Sequence, residues 1–182
     1  MEVSMSNHSP QSRIPGIHRL ALVSGLAAMA LLMLPWGASA NEPTRTTHQD
    51  WQSVCLEVEG TERCQIQQTL EMDGAEGRGP AMQVNIRDMR DGTRIIEVLL
   101  PLGLDLRAGI VMQVDDGDEY NAPFLTCFEQ GCLTARTLDP ELEEAMRAGT
   151  NMRVGFRPFN SEQILVADVS LMGFTAASRE IK

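Results

Sequence analysis

The sequence has very few of the side chains that most enzymes use for covalent or acid–base chemistry. Lys182 is the single lysine and the last residue of the chain, so no buried lysine is available to form a Schiff base. Three histidines occur, and only His48 lies outside the first 20 residues. His48 belongs to a polar segment, so we expect it to be exposed rather than part of a Ser-His-Asp or Cys-His arrangement. Catalysis built on lysine or histidine is therefore disfavoured.

Long apolar runs are also missing, and the one short run has the features of a signal peptide. It covers residues 20–34, follows a basic stretch and ends just before Ala38-Ser39-Ala40. Signal peptidase recognises this order of basic region, apolar region and small-residue site. We predict that residues 1–40 are a signal peptide and that cleavage occurs before Asn41. The alternative, an uncleaved anchor, is disfavoured because a spanning helix needs about 20 apolar residues.

Basic residues are outnumbered by acidic ones. The predicted signal peptide contains Arg13, Arg19 and Glu2, so 13 of the 15 basic and 24 of the 25 acidic residues remain after cleavage, for a net charge of −11. Such a surface repels nucleic acid and anionic lipid, and we expect neither as a general partner. The remaining length suits one domain, which we place at 51–182 after a flexible lead-in at 41–50.

Cysteine is scarce, and all four cysteines follow the predicted cleavage site. An even count in an oxidising compartment is typical of two disulfides, with three connectivities open for Cys55, Cys64, Cys127 and Cys132. A zinc site is the competing interpretation. The spacings C-x8-C and C-x4-C match the usual zinc spacings poorly, and we predict no metal and no cofactor. We expect the mature chain in the periplasm, and attachment to the outer membrane or secretion stays open.

Hairpin geometry favours local pairing of the cysteines. A two-residue loop at Glu59-Gly60 would place Cys55 opposite Cys64 in a non-hydrogen-bonded pair, where Cα atoms lie about 4.5 Å apart. The same count places Cys127 opposite Cys132. A three-residue bulged turn with Gly131 in the left-handed region would shift the second register by one residue.

Alternating apolar residues predict a mainly β protein. About eight or nine short strands are indicated, and turn signals separate them at close intervals. Residues 74–80 form a glycine-rich segment, which we interpret as a loop. The last run, 164–169, is apolar on both faces, which predicts a central strand. The alternating segments are 54–58, 64–70, 82–86, 96–100, 110–114, 152–156 and 164–169, to which the Cys127–Cys132 hairpin is added.

One short helix is indicated between the strands. Asp139 is a good N-cap, Pro140 suits the first helical position, and residues 141–148 favour a helix that ends at Gly149. Many short strands with a single helix predict an antiparallel β-sandwich, and a barrel is the alternative.

Three arginines form the one candidate ligand-binding cluster. Arg87, Arg90 and Arg94 surround the Asp91-Gly92 turn and are suited to an anionic ligand. Neighbouring aspartates dilute their charge, so a solvated loop is the alternative interpretation.

Acidic residues are abundant, but none of them forms a recognisable catalytic or metal-binding pattern. A pair of carboxylates of the glycosidase kind is compatible with the composition, although nothing singles one out. Asp115, Asp116, Asp118 and Glu119 do not follow the calcium-loop spacing, and an acidic hairpin tip is the simpler explanation.

Several motifs occur in a fixed order between about Trp51 and Phe174. They are Trp51-x3-Cys55, Cys64, the segment Leu-Pro-Leu-Gly-Leu-Asp-Leu at 100–106, Cys127-x3-Gly131-Cys132 and Ser-Leu-Met-Gly-Phe at 170–174. Together these motifs resemble the invasion-associated locus B family. The resemblance implies an exported β-rich protein of alphaproteobacterial type, associated in pathogenic members with entry into host cells. It supplies no catalytic residues, and only the two cysteine pairs carry over, as structural elements.

Three hypotheses follow for the function. The first is a non-enzymatic envelope or surface module that binds a protein or glycan of the envelope or of a host surface. The second is a periplasmic hydrolase that uses paired carboxylates. The third is thiol–disulfide exchange by Cys127 and Cys132, which is disfavoured because reactive pairs usually have C-x-x-C spacing at the start of a helix.

Overall fold

The computed structural model describes residues 42–74 and 77–181, which form two antiparallel β-sheets with few helices. The prediction of a mainly β, sandwich-like fold is confirmed. The predicted signal peptide lies outside the described residues. Within those residues, no helix is both long and apolar enough to cross a membrane.

The eleven strands of the described residues divide into a large and a small sheet. The large sheet has the order β1-β2-β3-β4-β5-β9-β8, and the small sheet has the order β11-β10-β6-β7. The strands are β1 Thr44–His48, β2 Trp51–Val58, β3 Thr61–Gly74, β4 Gly77–Asp88, β5 Arg94–Leu100, β6 Ile110–Val114, β7 Glu119–Ala122, β8 Phe124–Phe128, β9 Gly131–Thr137, β10 Asn151–Phe156 and β11 Leu165–Ser170.

The hydrophobic core is built from alternate residues of strands in both sheets, as a pleated strand requires. In β5, Ile96, Val98 and Leu100 are buried, and β6 and β10 bury apolar residues at every second position. Trp51 is fully buried and meets Phe174 edge to face at a centroid distance of 5.4 Å. The first residue of β2 and the C-terminal segment that begins at Phe174 therefore pack in the same core.

Two short helices pack against this core. The first, α1, spans Pro140–Ala148, and its N-cap Asp139 accepts a hydrogen bond from the Leu142 amide at 2.9 Å. The capping prediction is confirmed because both cap and helix are local features. A second short helix, α2 at Phe174–Ala177, and a 3₁₀ turn at Ser178–Glu180 were not predicted.

Both disulfides join the cysteines that the hairpin count places opposite each other. Cys55 is bonded to Cys64 across β2 and β3, and Cys127 is bonded to Cys132 across β8 and β9, with Cα–Cα distances of 4.0 Å. Phe128 pairs with Gly131, so the second hairpin has the two-residue loop and not the shifted register.

Four expectations about local structure are wrong. The expected flexible lead-in contains β1, whose polar residues pair with β2 through the backbone from Thr44↔Cys55 to His48↔Trp51. The glycine-rich segment 74–80 is not a loop, since β3 continues to Gly74 and β4 begins at Gly77. The strands number eleven in the described residues instead of eight or nine, and β3 and β4 are long.

The fourth error concerns the last strand, which was expected to be central. β11 lies at the edge of the small sheet, and Ile164 beside it and Val166 within it are 64% and 58% exposed. A run that is apolar on both faces usually indicates burial between two layers. Here the outer face of the small sheet is left uncovered by the rest of the described chain.

Candidate functional site

A large open groove lies on the outer face of the β2–β3 hairpin. It measures about 910 Å³ and lies between the β2–β3 turn and the turn that follows β4. We call it the hairpin groove. Its lining residues are Pro43, Val54, Leu56, Val58, Glu59, Thr61, Arg63, Cys64, Gln65, Arg87, Asp88, Met89, Arg90 and Asp91.

The floor of the hairpin groove is apolar. Trp51 and Ser53 of β2 are fully buried and face the core, so the alternate residues Val54, Leu56 and Val58 face outward. Leu56 and Val58 are 40% and 43% exposed. Apolar surface that the fold leaves uncovered beside a concave site is a common feature of ligand and partner sites.

The structure separates the three arginines that the sequence groups together. Arg87 and Arg90 line the hairpin groove, whereas Arg94 does not. Arg94 contacts Asp88 at 2.7 Å and Glu143 of α1 at 2.9 Å, and its pKa is raised chiefly by the hydrogen bonds to Asp88. Arg94 therefore ties α1 to the sheet and takes no part in the site.

Of the two remaining candidates, Arg87 is already paired. Its guanidinium donates to both carboxylate oxygens of Glu97, at 3.0 and 2.8 Å, and this pairing raises its pKa. Arg90 is exposed and belongs to no ion pair of the described residues. Of the three predicted arginines, Arg90 is therefore the one whose charge is not paired among the described residues.

Arg63 is a site residue that sequence reasoning missed. It is exposed on β3, lines the hairpin groove and, like Arg90, has no ion-pair partner among the described residues. The register places Gln65 opposite Arg87, and Arg63, two residues before Gln65, lies on the same outer face. No local pattern links Arg63 to Arg87, because the β3–β4 pairing alone brings them together.

Of the three carboxylates that line the hairpin groove, Glu59 is exposed, and the other two have partners within the fold. Asp88 is bound by Arg94, and Asp91 accepts a hydrogen bond from the Thr93 amide at 2.9 Å, which lowers the pKa of Asp91. A carboxylic acid that acts as a general acid near neutral pH needs a raised pKa. The pKa of Asp91 is shifted in the opposite direction, so Asp91 does not fit the acid of a hydrolase with paired carboxylates.

His48 is not the exposed histidine that the sequence predicts. Its Nε2 lies 2.8 Å from Glu180 Oε1, and its side chain is only 18% exposed. Ser53 donates to the other oxygen of the same carboxylate. The Ser53 hydroxyl thus donates to the carboxylate and not to the imidazole of His48, as it would if His48 were its general base. This cluster holds the final turn against β1 and β2.

One cluster of cysteines and a carboxylate is close enough together to resemble a metal-ligand set. It consists of Cys55, Glu62 and Cys64, but both sulfurs belong to the disulfide and offer no thiolate.

The acidic turn between β6 and β7 has a structural role. The Asp115 carboxylate accepts hydrogen bonds from the amides of Thr150 and Asn151. That contact fixes the end of α1 to the β6–β7 turn.

The motif at residues 100–106 also has a structural task. Asp105 is 8% exposed and accepts hydrogen bonds from Arg107 and, at 2.7 Å, from Arg157. These bonds, led by that of Arg107, lower the pKa of Asp105. The Asp105 amide donates to the Arg157 carbonyl at 2.9 Å, so the motif is attached to the end of β10.

Comparison with known proteins adds a consistent set of relatives. The family model described as Invasion associated locus B (IalB) protein matches residues 51–182. Invasion protein B homologues of Brucella abortus strain 2308 and of biovar 1 strain 9-941 are each 32% identical over 160 residues, which cover 88% of this chain and 89% of the relative. The crystal structure of invasion associated protein B from Bartonella henselae aligns with a TM-score of 0.65 at 22% identity, over 75% of this chain and 92% of that one.

Proposed function

The chain belongs to the invasion-associated locus B family, and on that premise we propose that it is an exported, non-enzymatic binding module whose ligand site is the hairpin groove. The observation that carries this proposal is that apolar surface and arginines without ion-pair partners occur together in the hairpin groove. An exposed apolar floor lies beside Arg63 and Arg90, which have no ion-pair partners among the described residues, while nearby Asp88 and Asp91 are engaged elsewhere.

The arrangement favours a ligand that presents an anionic group next to apolar surface. Arginine binds carboxylate, sulfate or phosphate oxygens through two parallel hydrogen bonds, and such bonds are stronger than neutral ones. The chain as a whole is acidic, whereas the lining of the hairpin groove has three arginines and three carboxylates, so an acidic partner is repelled less there than elsewhere. A protein or glycan of the bacterial envelope or of a host surface fits this chemistry.

Removal of the two unpaired charges is expected to abolish most binding. In Arg63→Gln/Arg90→Gln, we expect the immobilised mature domain to retain at least about tenfold less material from envelope or host-surface extracts than the wild type. The reason is that a hydrogen bond to a charged group contributes about 1.5 to 3 kcal/mol, and about 1.4 kcal/mol corresponds to tenfold in affinity. The measurement is quantitative mass spectrometry and glycan analysis of the retained material.

Arg179→Gln is the matched control for the single variants Arg63→Gln and Arg90→Gln, because each removes one positive charge and Arg179 is exposed but does not line the hairpin groove. The Arg179→Gln variant should retain as much material as the wild type, and each of the other two should retain less. Equal losses in all three single variants would reduce the effect to overall charge and contradict the site. Turnover by the wild type in a panel of ester and glycoside substrates, with no specific retention, would instead support the hydrolase hypothesis, which no observation at present favours.

Export is the second part of the proposal. It is supported by the basic–apolar–A-x-A order of the N-terminal segment and by two disulfides, which persist in oxidising compartments. The periplasm is the proposed location, with release from the cell or attachment to the outer membrane as later steps.

Blocking the cleavage site tests this part. In Ala38→Asp/Ala40→Asp we expect the uncleaved precursor to accumulate, because signal peptidase requires small residues at these two positions. Wild-type protein from the same cells should begin at Asn41, as N-terminal peptide mass spectrometry would show. Wild-type protein that retains residues 1–40 would contradict the proposal.

A further inference from the structure

The outer edge of β11 is an unprotected strand edge. β11 pairs with β10 on one side and is the last strand of the small sheet, so no strand of the described chain lies on its other side. Edge strands are normally protected by lysine, proline, bulges or a covering segment. β11 contains no lysine or proline, and its register with β10 is unbroken.

The direction of the free backbone groups follows from the hydrogen bonds at the end of β11. The Leu171 amide donates to the Thr150 carbonyl on the side of β10, and the backbone groups of Ser170 turn to the opposite side. Because backbone groups alternate in direction along a strand, those of Asp168 and Val166 also point outward. Both residues are exposed.

Gln68 already imitates a neighbouring strand at this edge. Its amide nitrogen donates to the Ser170 carbonyl at 3.0 Å, and its amide oxygen accepts from the Ser170 amide at 3.0 Å. This two-bond pairing is the one that a peptide group of an added strand would make. The edge is thus satisfied at Ser170 by the fold itself and continues unsatisfied toward Val166.

Apolar hollows flank the free part of the edge on both faces. Leu165 and Ala167 line a cavity of about 370 Å³ on one face, and Ile164 and Val166 line one of about 380 Å³ on the other. Successive side chains of an added strand point alternately to the two faces. A segment that alternates apolar and basic residues would therefore place its apolar side chains toward the hollow lined by Leu165 and Ala167, and its basic side chains on the face of Val166 and Asp168.

The local charges indicate which partner fits. Asp168 is exposed and belongs to no ion pair within the described ranges. The nearby arginines are engaged, since Arg157 binds Asp105 at 2.7 Å and Arg153 contacts Asp116 at 3.2 Å. The net charge of the whole chain, −10, is negative, like the charge of Asp168. A partner segment with basic residues is favoured at this edge over an acidic one.

We propose that the free edge of β11 binds an extended segment of a partner protein by strand addition, with apolar side chains at alternate positions and basic residues near Asp168. Strand addition gains affinity from main-chain hydrogen bonds and specificity from pockets for alternate side chains. This site is separate from the hairpin groove, so the proposal does not depend on the ligand assigned there.

A synthetic peptide that alternates lysine with valine is the probe, titrated into the isotope-labelled mature domain. We expect micromolar-range binding and slowed hydrogen exchange at the amides of Val166 and Asp168. Two peptides N-methylated at every second residue, in the two possible phases, separate the two edges of the added strand. The phase whose methyl groups face β11 should bind at least about tenfold more weakly, because one lost hydrogen bond costs about 1 kcal/mol and the methyl group adds a clash. The phase whose methyl groups face away from β11 should bind almost as well as the unmethylated peptide. A peptide with glutamate in place of lysine should also bind more weakly.

Protein variants complete the test. Val166→Pro removes an outward donor that an edge strand can spare, whereas Val166→Thr keeps it, so only the proline variant should lose the peptide. No chemical-shift change at millimolar peptide, or equal effects of the two N-methylated phases, would overturn the proposal. Concentration-dependent protection of the same amides without peptide would also overturn it, because the occupant would then be a second copy of the chain.

Discussion

Replacement of Trp51 by alanine is expected to lower the free energy of unfolding by about 3 to 5 kcal/mol, the range for loss of a large buried aromatic side chain. Trp51 is fully buried, meets Phe174 edge to face and donates its indole N–H to the Ser170 carbonyl at 2.8 Å. The substitution therefore leaves a cavity between the first long strand and the final turn. Denaturant titration followed by circular dichroism measures the change.

Two control variants separate the contributions. Trp51→Phe keeps most of the ring contact but loses the donor, and it should cost about 1 to 2 kcal/mol, since Gln68 still satisfies the Ser170 carbonyl. Leu125→Ala changes a side chain that is 61% exposed and should alter stability by no more than about 0.5 kcal/mol. If Trp51→Ala were as mild as Leu125→Ala, the described core would be wrong.

Removal of both disulfides is expected to have an effect of similar or larger size. The bridges close short loops, with sequence separations of 9 and 5, and loop closure of this length contributes about 2 to 3 kcal/mol each. Their sum approaches the lower end of the 5–15 kcal/mol typical of whole domains. A variant with alanine at all four positions should therefore be largely unfolded or have a greatly lowered denaturation midpoint.

Pairwise variants test the connectivity at the same time. Cys55→Ala/Cys64→Ala should be close in stability to either single variant, because one bridge is lost in each case. Cys55→Ala/Cys127→Ala should lose two bridges and show the sum of both effects, since the bridges lie in different hairpins. The reverse pattern would show that the cysteines are joined between hairpins.

Features that depend on local sequence could be predicted, and features that depend on distant pairing could not. Helix α1 follows from Asp139 and Pro140 at its start, and the cysteine register follows from the two-residue turns. β1 escaped prediction because its residues are polar and show no apolar alternation, although they pair along β2 through the backbone. The apolar pattern of residues 164–169 predicted a central strand, but the position of β11 at an edge depends on how the other strands pair and not on its own sequence.

The same distinction applies to the candidate site. Arg87, Arg90 and Arg94 were found because they are neighbours in sequence. The ion pairs of Arg87 and Arg94 were not foreseeable, because Glu97 and Glu143 reach these two arginines only through the fold. Arg63 joins the hairpin groove through the β3–β4 register. The motifs of the family resemblance proved to be mainly structural, as Trp51 and Phe174 meet in the core.

Photo-crosslinking in cells tests most directly whether the hairpin groove is where this protein binds its partner. A photoreactive residue at Val58, on the floor of the groove, should give a discrete adduct with an envelope or host-surface molecule, and Arg63→Gln/Arg90→Gln should remove that adduct. The same photoreactive residue at Leu125, which is exposed on β8 outside the groove, should give none. Equal adducts at both positions, or no adduct at Val58 under conditions where the protein is exported and folded, would contradict the account.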